Sequence, residues 1–155
     1  MKLGTKGRYA VMAMVELARQ GESCPVRISE IAARQEISPS YLEQLFAKLR
    51  RGGLVESARG PGGGYRLVRP AEETRISDIF MAVGEPIEAT RCKKGAAKGC
   101  TQLATRCVTH DLWDELGNQI HLFLNSVSLD DVLNRRVLGM SGQLYRENQS
   151  QPVAR

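Results

Sequence analysis

Cys92, Cys100, Cys107 and His110 fall within nineteen residues of a 155-residue chain that holds only one other cysteine and one other histidine. Seven and six residues separate the cysteines. His110 follows Cys107 by three, which places both on one face of any helix that starts there. Three thiols and one imidazole make a complete four-ligand set. Thiolates suit zinc, copper(I) and iron–sulfur clusters, and imidazole suits zinc and iron. The spacing has neither the paired C-x2-C units of tight zinc sites nor the runs of ferredoxins, so it leaves zinc and iron–sulfur both open. Arg91, Lys93, Lys94, Lys98 and Arg106 surround the cysteines; they would lower the thiol pKa values and offset the charge of a thiolate cluster. An imidazole in place of a fourth thiolate makes the site one negative charge lighter, hence easier to reduce, and makes ligand loss depend on pH. Those are properties of a sensor more than of a structural staple. The alternatives are plain surface thiols, or Cys107 as a nucleophile with His110 as its base. Packing does not explain such clustering, and no oxyanion donors or third orienting residue support catalysis. Cys24, alone beside Pro25, reads as an ordinary thiol.

A second chemistry, contact with a polyanion, is written into residues 38–68. Ser38 can N-cap a helix with Pro39 in its first turn, and Ser40 with Glu43 offers a competing capping box. Leu42, Leu45, Phe46 and Leu49 give that helix one apolar face. Ser40, Glu43, Gln44, Lys48 and Arg51 lie opposite. Gly52-Gly53 ends the helix where φ must turn positive. Two short strands, Leu54–Ser57 and Tyr65–Val68, flank a loop of four glycines and one proline around Arg59. A helix followed by a ribbon with an arginine near its tip is the layout of a winged helix-turn-helix. Ser38, Ser40, Tyr41, Glu43 and Gln44 are the candidates for base edges or adjacent phosphates. Gln can pair with adenine and Glu can accept from cytosine. Arg59 is the expected wing contact; Lys48, Arg50 and Arg51 are candidates for phosphates, with simple solvation as the alternative for each of these three.

The elements that must carry these groups follow from periodicity. A broadly apolar helix over about residues 6–19, capped by Thr5, is expected to be buried on more than one side, with Arg8, Glu16 and Arg19 as its polar strip. Val26–Ile28 can form a short strand that completes the wing sheet. Ser29 caps a second helix over about 30–35, and Glu36-Ile37 turns into the opening helix. After a linker come a short helix, Ile76 to Val83, with Thr74 as its cap, and then the cysteine segment. Residues 108–127 form the longest helix. Trp113, Leu116, Ile120, Phe123 and Val127 step by 3, 4, 3 and 4, a heptad-like seam widened by Leu112 and Leu124 and suited to a second copy of the chain. Ser128 caps a last helix to about Leu138, and residues 139–155 are polar and aperiodic, as in a disordered tail. The expected fold class is mainly α with a small β-wing. Residues 1–70 form the winged helix-turn-helix domain, and 71–138 the cysteine loop and dimerisation helices.

The totals agree with this division. The net charge is +5. Residues 1–70 hold 12 Lys+Arg against 6 Asp+Glu, and residues 71–155 hold 10 against 11, so the positive excess sits with the wing. That split favours a polyanion as partner, and the winged layout makes double-stranded DNA the expected one. No apolar run is long enough for a membrane span, and the start has no apolar signal region, so the expectation is a cytoplasmic protein without a membrane partner.

The segments Lys6-Gly-Arg-Tyr-Ala-Val11, Ile37-Ser-Pro-Ser-Tyr-Leu-Glu-Gln-Leu-Phe46, Arg59-Gly-Pro-Gly-Gly-Gly-Tyr65, Ala89-Thr-Arg-Cys92 and Cys107-Val-Thr-His-Asp-Leu-Trp113 together resemble the Rrf2 family of winged helix-turn-helix regulators. The last two are similar to its iron–sulfur cluster regulators. The likeness covers about residues 1–138. It implies a homodimer with one 2Fe–2S cluster per subunit, held by Cys92, Cys100, Cys107 and His110, and hence iron–sulfur over zinc. It implies a repressor of cluster-assembly genes, with the assembly machinery as cluster source. This chain departs from the family in its wider cysteine spacing, which keeps the ligand types and alters the loops between them. A nitric-oxide-sensing repressor of the same family also uses three cysteines, but its fourth ligand is supplied differently, and His110 argues against it. A zinc-stabilised interaction protein is the remaining alternative, separable by salt-dependent DNA binding.

Overall fold

The computed structural model of the chain describes residues 4–20, 24–85 and 107–137. Its elements run α1 (Thr5–Arg19), α2 (Ile28–Gln35), α3 (Pro39–Arg51), β1 (Val55–Ala58), β2 (Gly64–Leu67), α4 (Ile76–Val83), α5 (His110–Ser126) and α6 (Leu129–Leu133). The class is the expected one, mainly helical with a two-stranded antiparallel wing. The cysteine segment before Cys107 and the polar tail lie outside the described residues.

The apolar face of α3 is buried as its spacing requires. Leu42, Leu45, Phe46 and Leu49 meet Ala10, Ala13, Met14 and Leu17 of α1 and Ile31 of α2 in one core. Each large side chain so buried is worth roughly 1.5–3 kcal/mol. Helix α1 is wrapped by α2, α3, α4, α6 and β2, which accounts for its broadly apolar surface. Gly7 lets Phe80 lie against it; a Cβ there would come within 2.5 Å of the ring.

Glu16 departs from the expected polar strip. It is 3% exposed, and its carboxylate accepts from Arg34 Nη1 at 2.6 Å and Gln35 Nε2 at 3.2 Å. A buried carboxylate is tolerated because α2 supplies these donors. Counting residues around α1 alone cannot foresee a partner on another helix.

Between α2 and α3 the chain turns at Glu36, in the left-handed region at φ 53°. The N–H of Ile37 donates to the carbonyl of Ala32, and Ile37 drops into the core. Ser38 is the N-cap residue of α3 and Pro39 begins its first turn, as expected. Neither proposed side-chain cap forms. The Ser38 hydroxyl pairs with that of Ser40 at 2.9 Å.

The two glycines after α3 are required for different reasons. Gly53 carries the positive φ, 70°. Gly52 has φ −77° but sits so close to α4 that an added Cβ would lie 2.7 Å from that of Ala82. In the wing, Val55 pairs with Leu67, Glu56 with Arg66, Ser57 with Tyr65 and Ala58 with Gly64. No third strand joins it among the described residues. Helix α2 already starts at Ile28, capped by Arg27, so Val26 makes a single bridge to Tyr65 with both bonds at 2.8 Å.

The core does not stop at residue 70, where composition suggested a boundary. Ile76, Ile79, Phe80 and Val83 of α4 belong to it, as do Val127 and Leu129. Backbone bonds from Ile76 N–H to the Val127 carbonyl and from Leu129 N–H to the Thr74 carbonyl stitch the two parts together. Thr74 is buried and donates to the Pro70 carbonyl, leaving Arg75 as the N-cap of α4. Ser128 caps α6 as expected, in a full capping box with Asp131. That helix ends at Leu133 rather than near 138, and Arg135 follows with φ 55°. Hydrogen bonds from the Ser128 N–H and hydroxyl, helped by Arg136, hold the Asp131 carboxyl below its usual pKa range.

Candidate nucleic-acid interface and cysteine–histidine site

Seen from its N-terminus, α3 presents Ser38, Ser40, Glu43 and Gln44 to solvent, opposite the leucines that fix it to the core. Its first two turns thus carry hydroxyl, carboxylate and amide groups free of the core, in the part of a recognition helix that enters a major groove. Tyr41 is half-buried, its ring set edge-on to Tyr9 at 6.1 Å between centroids. The α1 tyrosine therefore limits how Tyr41 can turn. Further along, Arg50 and Arg51 are exposed, and Arg51 Nε donates to the Ala47 carbonyl of the preceding turn at 3.3 Å. Lys48 is not part of this open surface. It is half-buried, and its ammonium donates to the Val83 carbonyl of α4 at 3.3 Å.

Arg59 stands exposed just past β1, at the base of a turn closed by the Gly63 N–H on the Gly60 carbonyl at 2.9 Å. Gly60 and Gly62 have φ of 103° and 80°, conformations that L side chains rarely adopt. An added Cβ at Gly63 would lie 2.5 Å from the Ala58 carbonyl oxygen. Glycine here keeps the wing tip thin, so that Arg59 can reach a neighbouring surface. Arg66 is the other exposed wing cation, and it is engaged by Glu56 across the ribbon at 2.5 Å. Sequence reasoning missed that pair, although the register that opposes the two residues follows once Val55 is placed facing inward.

Of the four expected metal ligands, Cys107 and His110 are described; Cys92 and Cys100 lie outside the described residues. His110 opens α5, and its N–H donates to the Cys107 carbonyl at 3.0 Å, so the two sit about one turn apart, both half-exposed. Soft sulfur and imidazole at a helix start match the donor set of a zinc or iron–sulfur site.

Helix α5 has no residue buried within its own chain. Trp113 and Phe123 are exposed, at 41% and 51%, and Leu116 and Ile120 are half-covered. They share one side with Leu112, which is 62% exposed. Near the end of the helix, Asn125 accepts from the buried Ser77 hydroxyl of α4 at 3.0 Å, and the Arg75 guanidinium reaches the Ser126 carbonyl. Val127 departs from the expected seam. The helix has ended, its backbone is extended, and its side chain lies in the chain's own core. The heptad count carried on one step past the last helical residue.

Among the described residues no helix is long and apolar enough to cross a membrane.

Comparison with known proteins agrees with this layout. Residues 3–135 match the family model Rrf2, described as an iron-dependent transcriptional regulator. The chain is 45% identical over 156 residues to the HTH-type transcriptional regulator IscR of Photorhabdus laumondii, covering all of this chain and 93% of that protein. It is 46% identical over 146 residues to IscR of Escherichia coli, covering 94% and 88%. Among solved structures, CymR, the global cysteine regulator of B. subtilis, superposes with a TM-score of 0.72 at 30% identity, covering 87% of this chain and 98% of that one. IscR of T. potens gives 0.70 at 35% identity, covering 94% and 96%.

Proposed function

The chain belongs to the Rrf2 family of DNA-binding transcriptional regulators, and from that membership we propose that it senses iron–sulfur cluster supply and represses cluster-assembly genes as a homodimer. The observation that carries this reading is the position of Cys107 and His110. They stand at the start of α5, the one helix among the described residues whose apolar side is left uncovered by its own chain.

Cys92, Cys100, Cys107 and His110 would hold a 2Fe–2S cluster, one per subunit, supplied by the assembly machinery. When bound, the cluster supplies a redox- and oxygen-sensitive charge that reports its own availability. The chain's residues do the rest. Trp113, Leu116, Ile120 and Phe123 would seat α5 against its copy, and the angle between the two copies sets the distance between two α3 helices. Drawing Cys92, Cys100, Cys107 and His110 onto one cluster would shift that angle and so change the fit to paired half-sites without altering any base contact. Ser40 and Gln44 face base edges. Glu43 penalises any sequence that cannot donate to it, and so supplies selectivity. Ser38, Tyr41, Arg50, Arg51 and Arg59 contact the sugar–phosphate backbone.

Anaerobic purification with visible absorption and iron and sulfide analysis tests the sensor. Cys92→Ala should abolish the colour and change site preference while the protein stays folded; unfolding would indicate a structural metal. Salt-titrated duplex binding tests the DNA reading. Arg59→Ala should flatten the slope of log K against log salt by about 0.9, the value for one lost phosphate contact. An unchanged slope removes Arg59 from the interface.

A further inference from the structure

Lys48 lies on the polar side of α3, yet its ammonium donates to the Val83 carbonyl at the last residue of α4. We propose that Lys48 is a positioning residue that fastens the recognition helix to the end of α4, and through it to the cysteine segment, and that it makes no phosphate contact. The proposal rests on α3 being the DNA-reading helix.

The physical grounds lie at the end of α4. A helix C-terminus has unsatisfied carbonyls and a partial negative charge, and α4 has no basic residue of its own in its last turn. Two lysines from elsewhere supply the cation. Lys48 of α3 takes Val83, and Lys6 of α1 approaches the Gly84 carbonyl at 3.5 Å. Gly52 adds a second point of registry, since its missing Cβ lets α3 close on Ala82. The chain then turns at Gly84, in the left-handed region with φ 69°, and enters residues 86–106 with Cys92 and Cys100. The end of α4 is therefore held by the helix that reads DNA at the point where the cysteine segment departs. From Lys48 to Ser40 is eight residues of rigid helix, about 12 Å. A small tilt at the tether moves the base-reading end by a comparable amount.

A tether and a phosphate contact leave different signatures. Losing a phosphate contact weakens all duplexes alike and flattens the salt slope by about 0.9. Losing a tether weakens only binding that depends on the pose of α3. The test uses the full chain, a labelled duplex enriched by the wild-type protein from a random-sequence pool, and a scrambled duplex, each titrated across salt concentrations. Lys48→Met should lose about 5-fold on the enriched duplex, with the scrambled duplex and both slopes unchanged. Lys48→Arg, which keeps a donor for the carbonyl, should recover to within about 2-fold of wild type. Gly52→Ala should reproduce the Lys48→Met loss although it removes no charge.

A flattened slope with equal loss on both duplexes overturns the proposal, and so does an unchanged affinity. If Lys48→Met does not fold by circular dichroism, Lys48→Leu and Gly52→Ala decide by the same criteria. If the wild type itself shows no salt-dependent duplex binding, the DNA reading fails, and the tether is judged by hydrogen exchange. Gly84 and Glu85 donate to the Met81 and Phe80 carbonyls at 3.0 Å. Their exchange should accelerate in the Lys48 variant, and unchanged exchange refutes the tether.

Discussion

Glu16→Ala removes the buried carboxylate that joins α1 to the end of α2. Its oxygens accept from Arg34 at 2.6 Å and Gln35 at 3.2 Å, with Arg19 at 3.7 Å. A hydrogen bond involving a charged group is worth about 1.5–3 kcal/mol, and both donors here meet the ionised carboxylate. Arg34 is half-exposed, so water will resolvate it, and the lower end of that range applies. The sum is about 3 kcal/mol, or roughly 6–12 °C in melting temperature for a chain of this size. Glu16→Gln keeps the volume and one acceptor for Arg34 but turns an amide donor toward Gln35, and should cost about half as much. Urea denaturation followed by far-ultraviolet circular dichroism, at one fixed protein concentration, measures both. The wild-type advantage should survive about 1 M salt, because a carboxylate this deeply buried is poorly screened. A loss under about 0.5 kcal/mol for Glu16→Ala, or one that vanishes in salt, would refute the reasoning.

Two further outcomes follow from other contacts. The Asp131 carboxyl is held low chiefly by the Ser128 N–H and hydroxyl, so its contribution to stability is present above its unfolded value and lost as pH falls through the folded one. Asp131→Asn should be less stable than wild type at neutral pH, with melting curves that converge in acid; a gap that persists in acid rules out the linkage. Phe123→Glu places a charge on the uncovered side of α5. Sedimentation should then show a monomer that melts as the wild-type subunit does and binds DNA at least about tenfold more weakly. A dimer that persists would place the interface elsewhere.

Much of this architecture was legible because it rests on periodicity and turn chemistry. The i, i+3, i+4 run from Leu42 to Leu49 identifies α3 and its buried face without reference to any neighbour, and Gly53 marks its stop. Ser128 is recognisable as a cap because Asp131 stands three residues on. What escaped depends on groups that meet from distant parts of the chain. Glu16 looks solvated until α2 brings Arg34 to it. Lys48 looks fully solvated until α4 offers it a carbonyl. Gly52 looks like a helix stop until Ala82 is seen beside it. The core that runs past residue 70 was hidden for the same reason, since charge composition changes there while packing does not. For the cysteine–histidine site, residue types point to the chemistry, and only the Cys107–His110 end has a described geometry.

The core shared by α1, α4 and α6 constrains how such a molecule can be recombined. A chimera spliced at the end of the wing would strip Ile79, Phe80 and Leu129 from α1 and leave both fragments with raw apolar seams. Workable junctions lie instead after Glu85 and again before Cys107, where residues 86–106 could be exchanged between relatives while the described core stays whole.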